Sequence, residues 1–394
     1  MGMIINIDQA LEQRTQYNIL KEPLHKMLKD QQEAWEKENP IDLLFVRNTI
    51  ASFQETYTSN IGFDHAFAET SDYAVGPIFN TAEGFAATYT TRTFQGSFII
   101  TQQVLEDGKM GQVKDDATMF LKRWHGDCVE YALTALSSGF GVQKDYLGSK
   151  LLLKSADTDD GDIMMNGNNQ KNPLFCKTHK TVKRKDGTGA LSQSNMFAAT
   201  LANHSAAISL TDPEAVSKMA DLINYVITAM ENYRDDNGKR AVVLGEKTIV
   251  APNNARLKAV LESAVAMDVF GGVPNPAYKR AVVKTNPYLN DMDCCIKNDG
   301  SVLGFFIVDK AYNAANHGPE FTERIPLTLN AVWEKRPMGV IYDGRQRFDI
   351  NVAAWRGIAY VAIGISSTDS DWNYYGKFTE YTPAVIAKVV KTIS

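Results

Sequence analysis

Side chains able to do chemistry are few in this 394-residue chain, and they are poorly spaced for joint work. The six histidines, His25, His65, His125, His179, His204 and His317, never fall at metal-ligand spacing, and none accompanies a Cys-x-x-Cys pair. His179 stands three residues after Cys176, the nearest approach to a ligand pair. With no second pair close by, it reads as a hydrogen-bonding loop histidine. The run from Asp157 to Asp162 starts like a calcium loop, but Gly161 takes the fifth position and Asn168 stands where a bidentate Glu is needed. It reads as a solvated acidic turn. Gly245-Glu-Lys-Thr lacks the earlier glycine and the Gly-Lys step of a phosphate-binding loop, so it reads as a hairpin turn. No nucleophile elbow and no dinucleotide fingerprint occurs. The expectation is no catalytic residue, no cofactor and no metal: not an enzyme.

The four cysteines, Cys128, Cys176, Cys294 and Cys295, are too few for a disulfide framework, and the adjacent pair is poorly placed to bridge. They read as packed thiols in a reducing compartment. Lys and Arg total 41 against 46 Asp and Glu, a net charge of −5, which argues against a protein that wraps nucleic acid by neutralising phosphates. The opening Met-Gly-Met-Ile-Ile has no secretory pattern, and the longest apolar stretch, residues 357–365, is too short to span a bilayer. A soluble cytoplasmic protein without a membrane partner is expected.

The elements around these residues carry more information. Residues 18–39 form an amphipathic helix with Leu20, Leu24, Met27, Leu28 and Trp35 on one face, ended by Pro40; such a helix is either a docked flap or an arm that binds a neighbour. Residues 68–100 are rich in Thr, aromatics and Gly, which favours strands, with Gln95-Gly96 as a turn. They hold too few large aliphatics for a private core, so they read either as a surface hairpin on the same chain or as a loop lying on another subunit. Residues 115–138 predict a long helix capped by Asp115 or Asp116 and stopped by Gly139 and Gly141. After a polar, loop-dominated stretch (155–195) come a helix capped by Thr211, a strand pair at 240–252, a helix at 254–266, and strands near 280–285 and 302–308. Strands and turns follow over 325–365, with Asp343-Gly344 as one of the turns.

The order of these parts resembles the major capsid protein of tailed bacteriophages, the Hong Kong ninety-seven-type fold also used by encapsulins. Phe98-Ile-Ile-Thr-Gln-Gln-Val-Leu-Glu-Asp is similar to the family's strand entering its spine helix. Leu174-Phe175 with His179 and Ser194-Asn195 resembles Mu-type head subunits. So do Asp236-Asn-Gly, Val250-Ala-Pro, Gly271-Gly-Val-Pro-Asn-Pro and Ala281-Val-Val-Lys-Thr-Asn-Pro, and the closing run from Arg347 to Ala359. The resemblance covers roughly residues 70–365. It implies an α+β capsid-type fold: an N-terminal arm (1–67), an extended β-ribbon loop (68–100), a peripheral domain (101–204) with spine helix 115–138, an axial domain (205–323) and C-terminal strands (324–394). It also implies a self-assembling icosahedral shell, built of pentamers and hexamers in the host cytoplasm, around double-stranded DNA bound without sequence specificity. Expected partners are further copies of the chain, a portal protein, and a separate scaffolding or decoration protein. On this reading the ribbon lies along the next subunit, burying Phe94 and Phe98 there and offering Arg92 to an intersubunit carboxylate. The segment 68–100 has no lysine, so a Lys–Asn cross-link through it is not expected. The alternatives are an encapsulin-like cargo compartment and, from another class, an α+β enzyme with an unrecognised site.

Overall fold

The structure, a computed structural model, describes residues 3–7, 15–63, 81–158, 171–180, 192–202, 208–235, 240–241, 243–297, 300–335 and 338–364. Strand β1 (Ile4–Ile7) precedes helix α1 (Thr15–Lys37), and Pro40 opens a short 3-10 turn whose first amide, on Ile41, donates to the Asn39 side chain at 2.9 Å. Strands β2 (Val46–Thr49), β3 (Gln54–Phe63), β4 (Thr81–Thr90) and β5 (Arg92–Thr101) lead into α2 (Gln102–Glu106) and the long α3 (Met110–Ser138). Short strands follow: β6 (Lys144–Tyr146), β7 (Ser149–Leu151), β8 (Lys154–Thr158), β9 (Lys171–Pro173), β10 (His179–Lys180), β11 (Ser192–Gln193) and β12 (Met196–Ala198). Then come α4 (Ala215–Glu231), β13 (Lys247–Pro252), α5 (Ala255–Ala266), β14 (Val269–Phe270), β15 (Val273–Pro274), β16 (Ala281–Asn286), β17 (Gly304–Asp309) and α6 (Lys310–Asn316). The described chain closes with β18 (Glu320–Lys335), β19 (Met338–Asn351) and β20 (Ile358–Ala362).

Two five-stranded sheets organise the α+β fold. One runs β1-β18-β19-β5, with β2 sharing the outer edge of β18; the other runs β12-β20-β17-β13-β16. In the second sheet Phe305, Phe306, Ile307 and Val308 of β17 and Ala359 to Val361 of β20 are buried without alternation, the pattern of strands covered on both faces. Helix α4 buries Met219, Leu222, Ile223, Val226, Ile227 and Met230, as its spacing predicts.

Helix α3 has 29 residues, about 44 Å at 1.5 Å per residue. It starts at Met110, five residues before the expected Asp115 cap. Lys109 takes the N-cap without a side-chain bond, because Gly108 at φ +64° turns the chain directly from α2 into α3. Three further expectations are corrected. Helix α4 begins at Ala215, four residues past Thr211. Among the described residues of 240–244 only an isolated bridge from Arg240 to Arg234 forms, and β13 finds its partners in β16 and β17. Neither Gln95-Gly96 nor Asp343-Gly344 is a turn: both lie inside long strands, and Gly96 and Gly344 are register partners across β5 and β19. A Cβ at Gly96 would sit 3.2 Å from the Trp124 ring, and one at Gly344 would sit 3.0 Å from Phe120. The two glycines let α3 press its aromatic face onto the sheet. The acidic run from Asp159 onward and the Asp236-Asn237-Gly238 segment lie outside the described residues.

Leu121 is buried, and the half-buried Trp124 touches both main cores while its Nε1 donates to Gln346 Oε1 at 2.7 Å. Gln346 in turn donates to Glu323 at 2.8 Å. Trp124→Ala is expected to cost about 2–4 kcal/mol in urea denaturation, from lost packing and a stranded amide. A loss under about 0.5 kcal/mol would contradict this packing.

Candidate assembly interface

Strands β3 and β4 make a two-stranded ribbon, paired from Gln54↔Thr90 out to Phe63↔Thr81. Ten residues at about 3.3 Å each carry it about 33 Å. Its root is an aromatic clamp. Ala87 and Tyr89 are buried in a small cluster with Tyr57 and Ala353, separate from the two main cores. The Tyr57 ring lies 4.6 Å from Tyr89 and 4.0 Å from His317, and the Tyr89 hydroxyl donates to the His317 carbonyl at 3.2 Å. His317 ends α6 in the left-handed conformation, φ +54°, so its ring projects over the ribbon root. Below it, Glu320 meets His317 Nδ1 at 3.1 Å and accepts from the Asn48 amide at 2.7 Å. Burial raises the Glu320 carboxyl above its ordinary range, while Asn48 and His317 pull it back. The ribbon is thus pinned at one end by four side chains the sequence reading did not single out. The signal was the Thr/Tyr pattern at residues 54–58, which precedes the 68–100 segment.

The ribbon therefore starts earlier than expected, and residues 64–80 lie outside the described residues. Arg92, Phe94 and Phe98 belong to β5, inside the first sheet. Phe94 stacks on Phe348 at 4.5 Å and meets Tyr131 edge-on at 5.0 Å; Phe98 stacks on Tyr342 at 4.9 Å. Arg92 Nε donates to Asp349 Oδ2 at 3.1 Å, and the Tyr131 hydroxyl donates to Oδ1 at 2.5 Å. Burial raises the Asp349 carboxyl, with the Tyr131 and Arg92 bonds opposing it. This corrects the placement on an extended ribbon: β5 pairs with β19 along its length, so these side chains find their partners within the subunit.

Helix α1 is docked. Leu24 and Leu28 are fully buried, Gln31 donates to Thr118 at 2.8 Å, and Trp35 stacks flat on His125 at 4.5 Å. His125 Nε2 lies 2.8 Å from Gln32 Oε1, and burial pulls its imidazole down to about 4. A histidine held neutral in the fold but protonated in the unfolded chain stabilises fully above pH ~6.5. That contribution fades as pH falls toward 4, by about 2–3 kcal/mol. Urea midpoints should therefore fall between pH 6.5 and 4, and the fall should be shallower in His125→Gln. Equal slopes would contradict the assignment.

His179 is fully buried, its Nε2 3.2 Å from both the Leu174 carbonyl and Asn195 Oδ1, its ring stacked on Trp355 at 4.1 Å. All four cysteines are buried and unbridged. The Gly245-Glu-Lys turn delivers Lys247 to a buried ion pair with Asp309 at 2.8 Å. Among the described residues no three metal-binding side chains gather, and no helix is long and apolar enough to cross a membrane.

No protein-family model matches the chain, and no curated protein matches it. Solved structures do. The chain is similar to a structure of Mycobacterium phage Patience at 12% identity, over 97% of this chain and 98% of that one, with a TM-score of 0.44. It is similar to the capsid of an empty GTA particle at 10% identity, over 81% and 88%, with a TM-score of 0.40. A virus-like particle from Pyrococcus furiosus matches at 9% identity, over 87% and 98%, with a TM-score of 0.39. The functional reading rests on this chain's own elements.

A second exposed element is the β14–β15 hairpin. Met267, Val269, Val273 and Tyr278 are exposed on and beside it. Gly271 and Gly272 make its turn at φ +57° and +88°, and the Asn275 side chain ties it to the end of α5 through the Ala264 and Met267 carbonyls. An apolar surface on a hairpin held this firmly suits contact with another molecule.

Proposed function

We propose that this chain is a structural shell subunit: the major capsid protein of a tailed bacteriophage, closing as pentamers and hexamers into an icosahedral shell around double-stranded DNA. The observation that carries this is the β3–β4 ribbon. It is clamped to the body by Tyr57 and Tyr89 and runs about 33 Å, and among its described side chains only Ala87 and Tyr89 are buried. An extended arm of this kind gains its burial on a neighbour, which enlarges contact area without enlarging the subunit core. The order of parts supports the same reading: docked helix, ribbon, long helix, then a helix-flanked sheet completed by late strands. A net charge of −5 suits a shell that confines DNA without gripping it. Portal, scaffolding and decoration proteins are the partners such a shell takes, and the host cytoplasm is where it would assemble. A structural role also fits the thiols, since burial pushes Cys128 and Cys295 far from thiolate chemistry. Sedimentation velocity of the purified chain should show a large, closed species far above any small oligomer. A monodisperse small oligomer would overturn the proposal.

A further inference from the structure

Strands β6 and β7 form a hairpin whose last register pair is Tyr146↔Ser149, so its loop is only Leu147 and Gly148. Both have positive φ, +49° and +81°, as a type I′ turn requires. Asn or Gly suits the first of these positions, and a leucine there carries steric strain from its Cβ. Leu147 is also 86% exposed, so packing within the subunit does nothing to offset that strain. The hairpin beneath it is held firmly. Tyr146 and Leu151 are buried, the Tyr146 hydroxyl donates to the Asp127 carbonyl at 3.2 Å, and Gly148 N donates to Asp145 Oδ1 at 2.9 Å. An apolar knob is thereby fixed in the open. Beside it stands Lys150, exposed and without an ion pair among the described residues.

Next to the hairpin a groove of about 480 Å³ runs between α3 and the 3-10 turn Pro287–Asp291. Its floor is apolar, with Leu133 and Met292 buried and Tyr288 half-buried. Gly126 leaves it open on the α3 side, where an added Cβ would meet nothing within 4 Å. At the rim Lys144 is held by Asp293 at 2.8 Å and Asp127 by Arg123 at 2.9 Å. The exposed carboxylates of Glu130 and Asp291 have no ion pair among the described residues. Knob and groove are therefore complementary twice over: an apolar tip with a free ammonium, and an apolar floor with free carboxylates. They also share a face, because Lys144 both opens β6 and lines the groove. Leu147, exposed as it is, does not fill the groove of its own subunit. A knob beside a hole on one face fits a second copy turned about a two-fold axis, which makes the same contact twice. We propose that Leu147 of one copy seats in the α3 groove of a second, reciprocally, with Lys150 meeting the Glu130 and Asp291 rim; the partner so named rests on the shell reading.

Leu147→Asn places at the tip the residue this turn favours, so the urea midpoint of the subunit should hold or rise. Association, read by sedimentation over a concentration series, should nevertheless weaken by more than tenfold, and unchanged association would overturn the proposal. Cross-linking reads the contact directly. Leu147→Cys chains and Gly126→Cys chains, the second carrying a mass tag, would be mixed, assembled, oxidised and run on a non-reducing gel. The four native cysteines are buried, so the introduced thiols report alone. Docking predicts that most tagged chains shift to a mixed dimer band, with far less dimer in either variant alone. A mixture that stays monomeric, or equal bands in the single-variant samples, overturns it. Sedimentation of the same samples reads the shell separately. A mixed dimer band without particles supports the docking contact and counts against the shell; particles without that band leave the shell standing and remove the contact.

Discussion

Replacing residues 60–83 with a short Gly-Ser turn is expected to give a folded subunit that no longer forms particles. The cut removes the outer ribbon but keeps Tyr57, Ala87 and Tyr89, the residues that seat its root. Both five-stranded sheets and their helices are untouched, so circular dichroism and the urea midpoint should stay close to the parent values. Assembly should fall by more than tenfold, because the interface area the ribbon would cover is gone. A cut shifted to 82–96 is expected to unfold the chain instead, since it removes half of β5 from its pairing with β19. A truncated variant that still sediments as closed shells would remove the ribbon from the assembly mechanism.

Lys247→Met is expected to destabilise the subunit by about 3–5 kcal/mol. The Lys247 ammonium donates to the Val243 carbonyl at 3.0 Å, the Gly245 carbonyl at 2.8 Å and Asp309 Oδ2 at 2.8 Å, so all three of its hydrogens are used. Asp309 is fully buried, and its other oxygen caps α6 by accepting from Tyr312 N at 2.9 Å. Removing the lysine leaves that carboxylate charged and unpaired in the interior. Lys247→Met with Asp309→Asn keeps the cap and removes the stranded charge, and should recover a good part of the loss. Urea denaturation of the two single variants and the double gives the coupling. Single-variant losses that merely add would contradict the pairing.

Much of the fold was legible. The spacing of Met219, Leu222, Ile223 and Val226 gave α4, and the helix expected at 254–266 and the strand expected near 302–308 stand as α5 and β17. What misled was glycine. Gln95-Gly96 and Asp343-Gly344 look like turns because glycine is the usual turn residue, yet here they form one paired site under Phe120 and Trp124 of α3. Long-range proximity of this kind leaves no mark at turn-length spacing. The same blindness misplaced Phe94 and Phe98, because an aromatic strand reads alike whether its partner is β19 of the same chain or another molecule. The ribbon root was illegible for a related reason: Tyr57, Tyr89, His317 and Glu320 lie far apart in sequence and meet only through the fold.

The shell reading meets its most direct test in electron microscopy of the purified protein, carried to a resolution that traces β3 and β4. The account predicts closed icosahedral particles in which each ribbon leaves its Tyr57–Tyr89 root and lies across a neighbouring subunit. Small oligomers without closed shells, or shells in which every ribbon folds back on its own subunit, would contradict it.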